Sequence, residues 1–156
     1  MRIIGIDPGY ERIGIAVIEK KKGDELLFST CLITDRKETS SERLLAIGKV
    51  VADAIAAYEP DALAIETLFF NSNQKTVMLV AAARGVIMYE AARHGIKVLE
   101  YTPLQVKNAT TGYGRAEKRQ VIHMVEQLIE IPQGKRLDDE YDAIAIALTA
   151  SASERL

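Results

Sequence analysis

Residues 2–18 read R-I-I-G-I-D-P-G-Y-E-R-I-G-I-A-V-I. Two apolar runs, Arg2 to Ile6 and Ile13 to Ile18, are separated by a break at Pro8-Gly9, and the acid Asp7 stands where the first run ends. A third run, Leu26 to Ile33, follows the charged turn K-K-K-G-D-E. The chain is therefore predicted to open as three strands in an antiparallel meander. Asp-Pro-Gly is a common turn opener, so Asp7 taken alone is as readily a turn residue as a ligand. The acids further along decide between the two.

After the meander the pattern changes to alternating helix and strand. S-S-E-R-L-L-A-I-G-K-V-V-A-D-A-I-A-A-Y begins with two candidate caps, Ser40 and Ser41, and repeats Leu44, Ile47, Val51, Ala54, Ile55 and Tyr58 at helical spacing. Pro60 precedes a short apolar strand, Ala62 to Glu66, and F-F-N-S-N-Q leads into a long helix from about Gln74 to Arg93. His94-Gly95 ends that helix and I-K-V-L-E-Y reads as a fifth strand. Thr102-Pro103 opens a short helix that G-Y-G breaks. Arg115 to about Ile129 reads as another helix, I-P-Q-G-K-R is a loop, and a last helix runs from Asp138 nearly to the end. Three strands followed by alternating helix and strand, with no internal repeat and no linker, indicate one mixed-sheet α/β domain spanning residues 1–156.

The composition agrees. A chain of 156 residues with 48% hydrophobic content supports one sizeable core. The single cysteine, Cys31, lies in the apolar run L-L-F-S-T-C-L-I and reads as a buried small residue in a reducing compartment. No apolar stretch reaches the roughly 18 residues of a membrane span, and Asp7 interrupts the first apolar segment before it could serve as a signal sequence. A cytoplasmic protein without membrane association is expected. The net charge of −2 argues against a general polyanion binder. Yet Lys107, Arg115, Lys118 and Arg119 face only Glu117 in one short segment, a local basic patch.

A strand, helix, strand connection that keeps both strands parallel tends to bring them into one sheet. If the first strand and the Ala62 to Glu66 strand are neighbours at about 4.8 Å, Asp7 and Glu66 end side by side at the carboxyl edge, where open α/β sheets place ligands. The last helix begins D-D-E-Y-D-A-I-A-I-A-L. Asp139 and Asp142, three apart, share a face of a helix whose apolar sequence says that it packs on the core. Four carboxylates would then converge, and they cannot all ionise without a cation. Oxygen ligands with no histidine or thiol cluster select Mg²⁺ or Mn²⁺. Two such ions about 4 Å apart would serve an in-line phosphoryl displacement. Each acid has a plainer reading: Glu66 as a solvated strand end, Asp138 as the helix N-cap. Asp142 resists one, because an acid bordering an apolar helix costs free energy unless paired or coordinated.

Five motifs now stand in order. G-I-D-P-G at 5–9, A-I-E-x-x-F at 64–69, Q-V-K at 105–107, G-x-G-x-A-E-K-x-Q-V at 112–121 and D-x-x-D-A-I-A-I-A at 139–147 resemble the RuvC family of bacterial Holliday-junction resolvases over essentially the whole chain. The resemblance implies a ribonuclease H-like fold with a five-stranded mixed sheet, order 3-2-1-4-5, flanked by helices. It implies a homodimeric endonuclease that nicks a four-way DNA junction symmetrically in recombination and repair. It also implies two Mg²⁺ per subunit, for which Mn²⁺ can substitute, and a RuvA/RuvB branch-migration complex as partner. By position, the metal-binding acids fall on Asp7, Glu66, Asp139 and Asp142, and the functional lysines on Lys107 and Lys118. The phenylalanine that contacts bases falls on Phe69, whereas Phe70 reads as packing. Arg115 and Arg119 read as backbone contacts, and Gly112-Tyr113-Gly114 before a helix could offer N–H groups to a phosphate. The small-residue-rich long helix is expected to help form the dimer. His94 and His123 are not needed as ligands.

Other functions fit less well. Actin-like and sugar-kinase ATPases carry strings like G-I-D-P-G but need two lobes, each with a phosphate hairpin, and this chain has one. A non-catalytic junction scaffold would not need all four acids. The other short resolvase-like family of this fold shares R-I-G-I-A but lacks the A-E-K-x-Q-V and D-x-x-D-A-I-A-I-A combination.

Overall fold

The computed structural model describes residues 1–68 and 74–154. Three strands come first, β1 (Arg2–Asp7), β2 (Arg12–Lys20) and β3 (Asp24–Ile33). They are followed by α1 (Ser40–Tyr58), β4 (Ala62–Glu66), α2 (Gln74–Arg93), β5 (Lys97–Tyr101), α3 (Pro103–Thr111), α4 (Lys118–Leu128) and α5 (Asp138–Ser153). The strands form one sheet in the order β3-β2-β1-β4-β5. The meander pairs antiparallel, while β4 and β5 add parallel to β1, each after a helix. This is the mixed sheet order expected of a ribonuclease H-like fold.

Alternation along the strands separates two cores. Ile4, Ile6, Ile13, Ile15, Val17, Leu63 and Ile65 point to one face and bury Ile47, Val51 and Ile55 of α1 and Ala83 and Ile87 of α2. Ile3, Ala16, Ile18, Ala62 and Ala64 point to the other and pack on α5, with Val106 of α3 and Val121 and Val125 of α4. Helices thus cover both faces, which is why the central strands β1 and β4 read as nearly continuous apolar runs. Among the described residues no helix is long and apolar enough to cross a membrane.

Several boundaries move for local reasons. Thr39, rather than Ser40 or Ser41, caps α1: its Oγ1 accepts from the Glu42 N–H at 3.3 Å, and Glu42 accepts from the Thr39 N–H at 2.8 Å. The helix expected from Arg115 starts at Lys118, because the Ala116 N–H closes a turn on the Tyr113 carbonyl at 3.0 Å and Glu117 is extended. Asp138 is not the cap of α5. Leu137 occupies that position, and Asp138 is the first residue of the helix, where its charge favours the N-terminal dipole. Cys31 is half-buried rather than buried, since β3 is an edge strand; burial and then the Asp139 charge push its thiol up to about 11.

Candidate active site

Asp7 continues the series Ile3, Gly5 on β1, and Glu66 continues Ala62, Ala64 on β4, so both carboxylates are on the α5 face of the sheet. The parallel register pairs Ile6 with Ile65, which sets Asp7 and Glu66 beside one another at the two strand ends. On the other side, Asp7 pairs with Gly14 of β2.

Glycine at that pairing position and at Gly5 lets α5 reach the sheet. A Cβ on Gly14 would lie 1.8 Å from the Asp139 carbonyl oxygen, and one on Gly5 would lie 2.3 Å from the Ala143 carbonyl oxygen. The helix backbone therefore rests directly on β1 and β2, and the alanines of A-I-A-I-A extend that close contact inward. Its first turns are carried over the strand ends, and the i, i+3 spacing turns Asp139 and Asp142 to the same side. Asp139 is 14% exposed and its Oδ2 lies 3.3 Å from Arg12 Nε. Asp142 accepts a hydrogen bond from Lys118 Nζ at 2.8 Å. Lys118 also stands 3.7 Å from Asp138.

The electrostatics follow from this crowding. Burial, then the charges of Asp142, Glu66 and Asp139, push the Asp7 carboxyl up to about 8, with Lys118 opposing. Burial and Asp142 raise Glu66 to about 7 against the fields of Lys107 and Lys118. Asp142 is also raised, chiefly by burial, although its hydrogen bond to Lys118 holds it down. For Lys118, burial disfavours its charge, but the Asp142 hydrogen bond and the charges of Asp142, Asp138 and Asp7 outweigh it and the ammonium pKa rises. These acids sense one another as a single coupled set.

As posed, no three acids, histidines or cysteines among the described residues stand close enough to hold one metal ion. Asp142 is turned to Lys118 and Asp139 to Arg12. The donor set nevertheless fits a hard divalent cation. Its oxygens are all carboxylate, Asp7 and Glu66 are pushed up to about 8 and about 7 and Asp142 is raised as well, and Asp139 Oδ2 is buried without a hydrogen bond despite its ion pair. A divalent charge would bring those pKa values down.

The remaining expected residues divide. Lys107 and Lys118 line a cavity of about 240 Å³ with Glu66 and Asp142, so both lysines accompany the acids. Arg115 and Arg119 are exposed, and Arg119 lines a separate groove of about 740 Å³ with Tyr113 and His123. Phe69 and Phe70 lie outside the described residues. Two residues with a place at the site carried no sequence signal. Arg12 at the start of β2 pairs with Asp139 of α5, and Arg84 of α2 donates to the Glu66 carbonyl at 3.2 Å and to the Glu100 carboxylate. Only the docking of α5 and α2 on the sheet brings them there.

Known proteins share this sequence and fold. The family model for crossover junction endodeoxyribonuclease RuvC matches residues 3–150. The crossover junction endodeoxyribonuclease RuvC of Caldanaerobacter subterraneus subsp. tengcongensis is 43% identical over 150 residues, 95% of this chain and 90% of that protein. The one from Syntrophomonas wolfei is 42% identical over 158 residues, 100% of this chain and 91% of its own. Thermus thermophilus RuvC in complex with Holliday junction substrate matches with a TM-score of 0.91 at 33% identity, over 97% of this chain and 93% of that one. The yeast mitochondrial Holliday junction resolvase, at 11% identity and a TM-score of 0.68, shares the fold.

Proposed function

The chain belongs to the RuvC family of crossover junction endodeoxyribonucleases, and from that premise we propose that it resolves Holliday junctions by paired symmetric nicks in homologous recombination and DNA repair, leaving 5′-phosphate ends. The observation that carries this reading is the coupled set of Asp7, Glu66 and Asp142 beside Lys107 and Lys118.

Asp7, Glu66, Asp139 and Asp142 would hold Mg²⁺, two ions per subunit, with Mn²⁺ able to substitute. Bound there, divalent ions would supply a water nucleophile at neutral pH and charge stabilisation for the leaving oxygen. The residues contribute the rest. Ionised, the carboxylates would accept the proton of the attacking water. Lys118, hydrogen-bonded to Asp142, and Lys107 present ammonium groups to the scissile phosphate and to the charge that builds on it. Phe69 would stack on an unpaired base at the junction. Arg115 and Arg119, exposed and without a carboxylate partner among the described residues, would neutralise flanking phosphates.

A homodimer would set two such sites on symmetry-related strands. Support comes from exposed apolar residues on α1 and α2, namely Leu45, Met78 and Tyr89, and from a groove of about 720 Å³ between these helices. The RuvA/RuvB branch-migration complex is the proposed partner and the cytoplasm the proposed location, both by family membership. The test is a synthetic four-way junction incubated with the protein and Mg²⁺, beside an Asp7→Asn variant. Symmetric nicks that the variant loses while it still binds the junction support the reading; undiminished cutting by the variant removes Asp7 from it.

A further inference from the structure

Arg43 is a charged side chain that the site above does not use. It lies on α1 at 8% exposure, with its guanidinium 4.0 Å over the Tyr10 ring. Nε and Nη2 donate to Thr34 Oγ1 at 2.9 and 2.8 Å, and Nη2 also reaches the Tyr10 carbonyl at 3.4 Å. Among the described residues none of its partners is a carboxylate, and its Nη1 donates to nothing. A guanidinium largely withdrawn from water without a counter-charge is destabilising, which neutral acceptors and a ring face offset only in part. A neutral side chain could tie α1 to the hairpin at lower cost. The retained charge therefore points to a partner that the protein itself does not contain.

The surroundings indicate what that partner is. Arg43 lines a cavity of about 430 Å³ with Gly9, Tyr10, Arg12, Thr76 and Asp139. Of the other charges on its wall, Arg12 pairs with Asp139, and Glu11 pairs with Arg36, which lies outside the cavity, so Arg43 is the wall charge without an ion-pair partner among the described residues. The cavity borders Asp139, whereas the cavity of Lys107 and Lys118 borders Asp142, one turn further along α5. The row of acids thus has on either side a cavity into which basic side chains are built. We propose that the Arg43 cavity is a second phosphate site, which takes a phosphodiester of the bound DNA strand on the side of the scissile bond away from Lys107 and Lys118. A guanidinium fork matches the two non-bridging oxygens of a phosphodiester. The site would fix the register of the strand over the acids. This inference rests on the nuclease reading.

The test places a carboxylate in the cavity without touching the Arg43 contacts. Thr76 is exposed in the first turn of α2, where a negative charge suits the helix, so Thr76→Glu should fold. Thr76→Gln controls for the loss of the threonine. Binding of a synthetic four-way junction is measured in EDTA across a salt series, with thermal unfolding alongside. Thr76→Glu is expected to bind about tenfold more weakly, with a log–log salt slope reduced by about 0.9 per subunit, while Thr76→Gln stays within about twofold of the parent. Arg43→Gln should show the same loss of slope, and if it proves unstable Thr76→Glu decides alone. Equal affinity and slope for Thr76→Glu and Thr76→Gln would overturn the proposal and leave the nuclease reading intact. Saturable thermal protection by inorganic phosphate at constant ionic strength, abolished by Thr76→Glu without any change in junction binding, would assign the cavity to a free anion and also overturn it. A parent protein that neither binds nor cuts the junction removes the nuclease reading itself.

Discussion

Asp7→Asn removes the acid whose ionisation the fold opposes, and it should stabilise the metal-free protein while abolishing cleavage. Folded, the Asp7 carboxyl ionises at about 8, against an ordinary value of 3.8. Between those values the folded protein keeps a proton that the unfolded chain has released. Stability therefore falls as pH rises through the window, by about 1.4 kcal/mol per pH unit. The contribution of protonated Asp7 is fully present below about pH 4 and is lost by about pH 8. The whole window would amount to about 6 kcal/mol, and structural relaxation with proton sharing among the coupled acids reduces that to about 2 to 3 kcal/mol. Asparagine does not titrate. For a chain of this length the melting temperature of Asp7→Asn at pH 8 in EDTA should exceed the parent by about 5 to 10 °C. The difference should shrink toward zero as pH falls to about 4.5. Circular-dichroism melts across that range measure it, and added Mg²⁺ should raise the parent more than the variant. A variant that melts at or below the parent at pH 8, or a difference independent of pH, refutes the reasoning.

Gly14→Ala drives a methyl into the Asp139 carbonyl oxygen, 1.8 Å from the ideal Cβ, so α5 must shift. It should lose about 3 kcal/mol in denaturant titration and most of its cleavage activity. Lys118→Met removes the cation bonded to Asp142. Single-turnover cleavage should slow by roughly 10²- to 10³-fold, and the acidic limb of the pH–rate profile should move to higher pH because the acids lose a charge that holds them down. Metal binding requires ionised carboxylates, and Glu66 and Asp7 ionise at about 7 and about 8 in the metal-free protein. Calorimetric Mg²⁺ affinity should therefore rise between about pH 6 and pH 8 with release of protons; affinity independent of pH would contradict the coupled acids.

Much of the site was legible because its acids end regular elements. Alternation along R-I-I-G-I-D and A-L-A-I-E places Asp7 and Glu66 on the same sheet face as soon as the strands are neighbours, and i, i+3 spacing pairs Asp139 with Asp142. Boundaries set by loops were less legible. The cap of α1 fell on Thr39 and the start of α4 on Lys118, because side-chain hydrogen bonds and a tight turn at Ala116 compete with helical propensity there. Cys31 looked buried from its apolar neighbours, yet its strand is at the edge of the sheet.

Local pattern determined the order of strands and helices, the mixed sheet and which acids were candidates, since periodicity and charge are properties of neighbours along the chain. Which cation meets which acid was decided only in three dimensions. Arg12 against Asp139, Lys118 against Asp142, Arg84 against the Glu66 carbonyl and Arg43 in its uncompensated cavity all join segments far apart in sequence. Their pairing depends on how closely α5 rests on Gly5 and Gly14 and on how α1 and α2 cover the opposite face. A charge has no period, so its partner follows from packing.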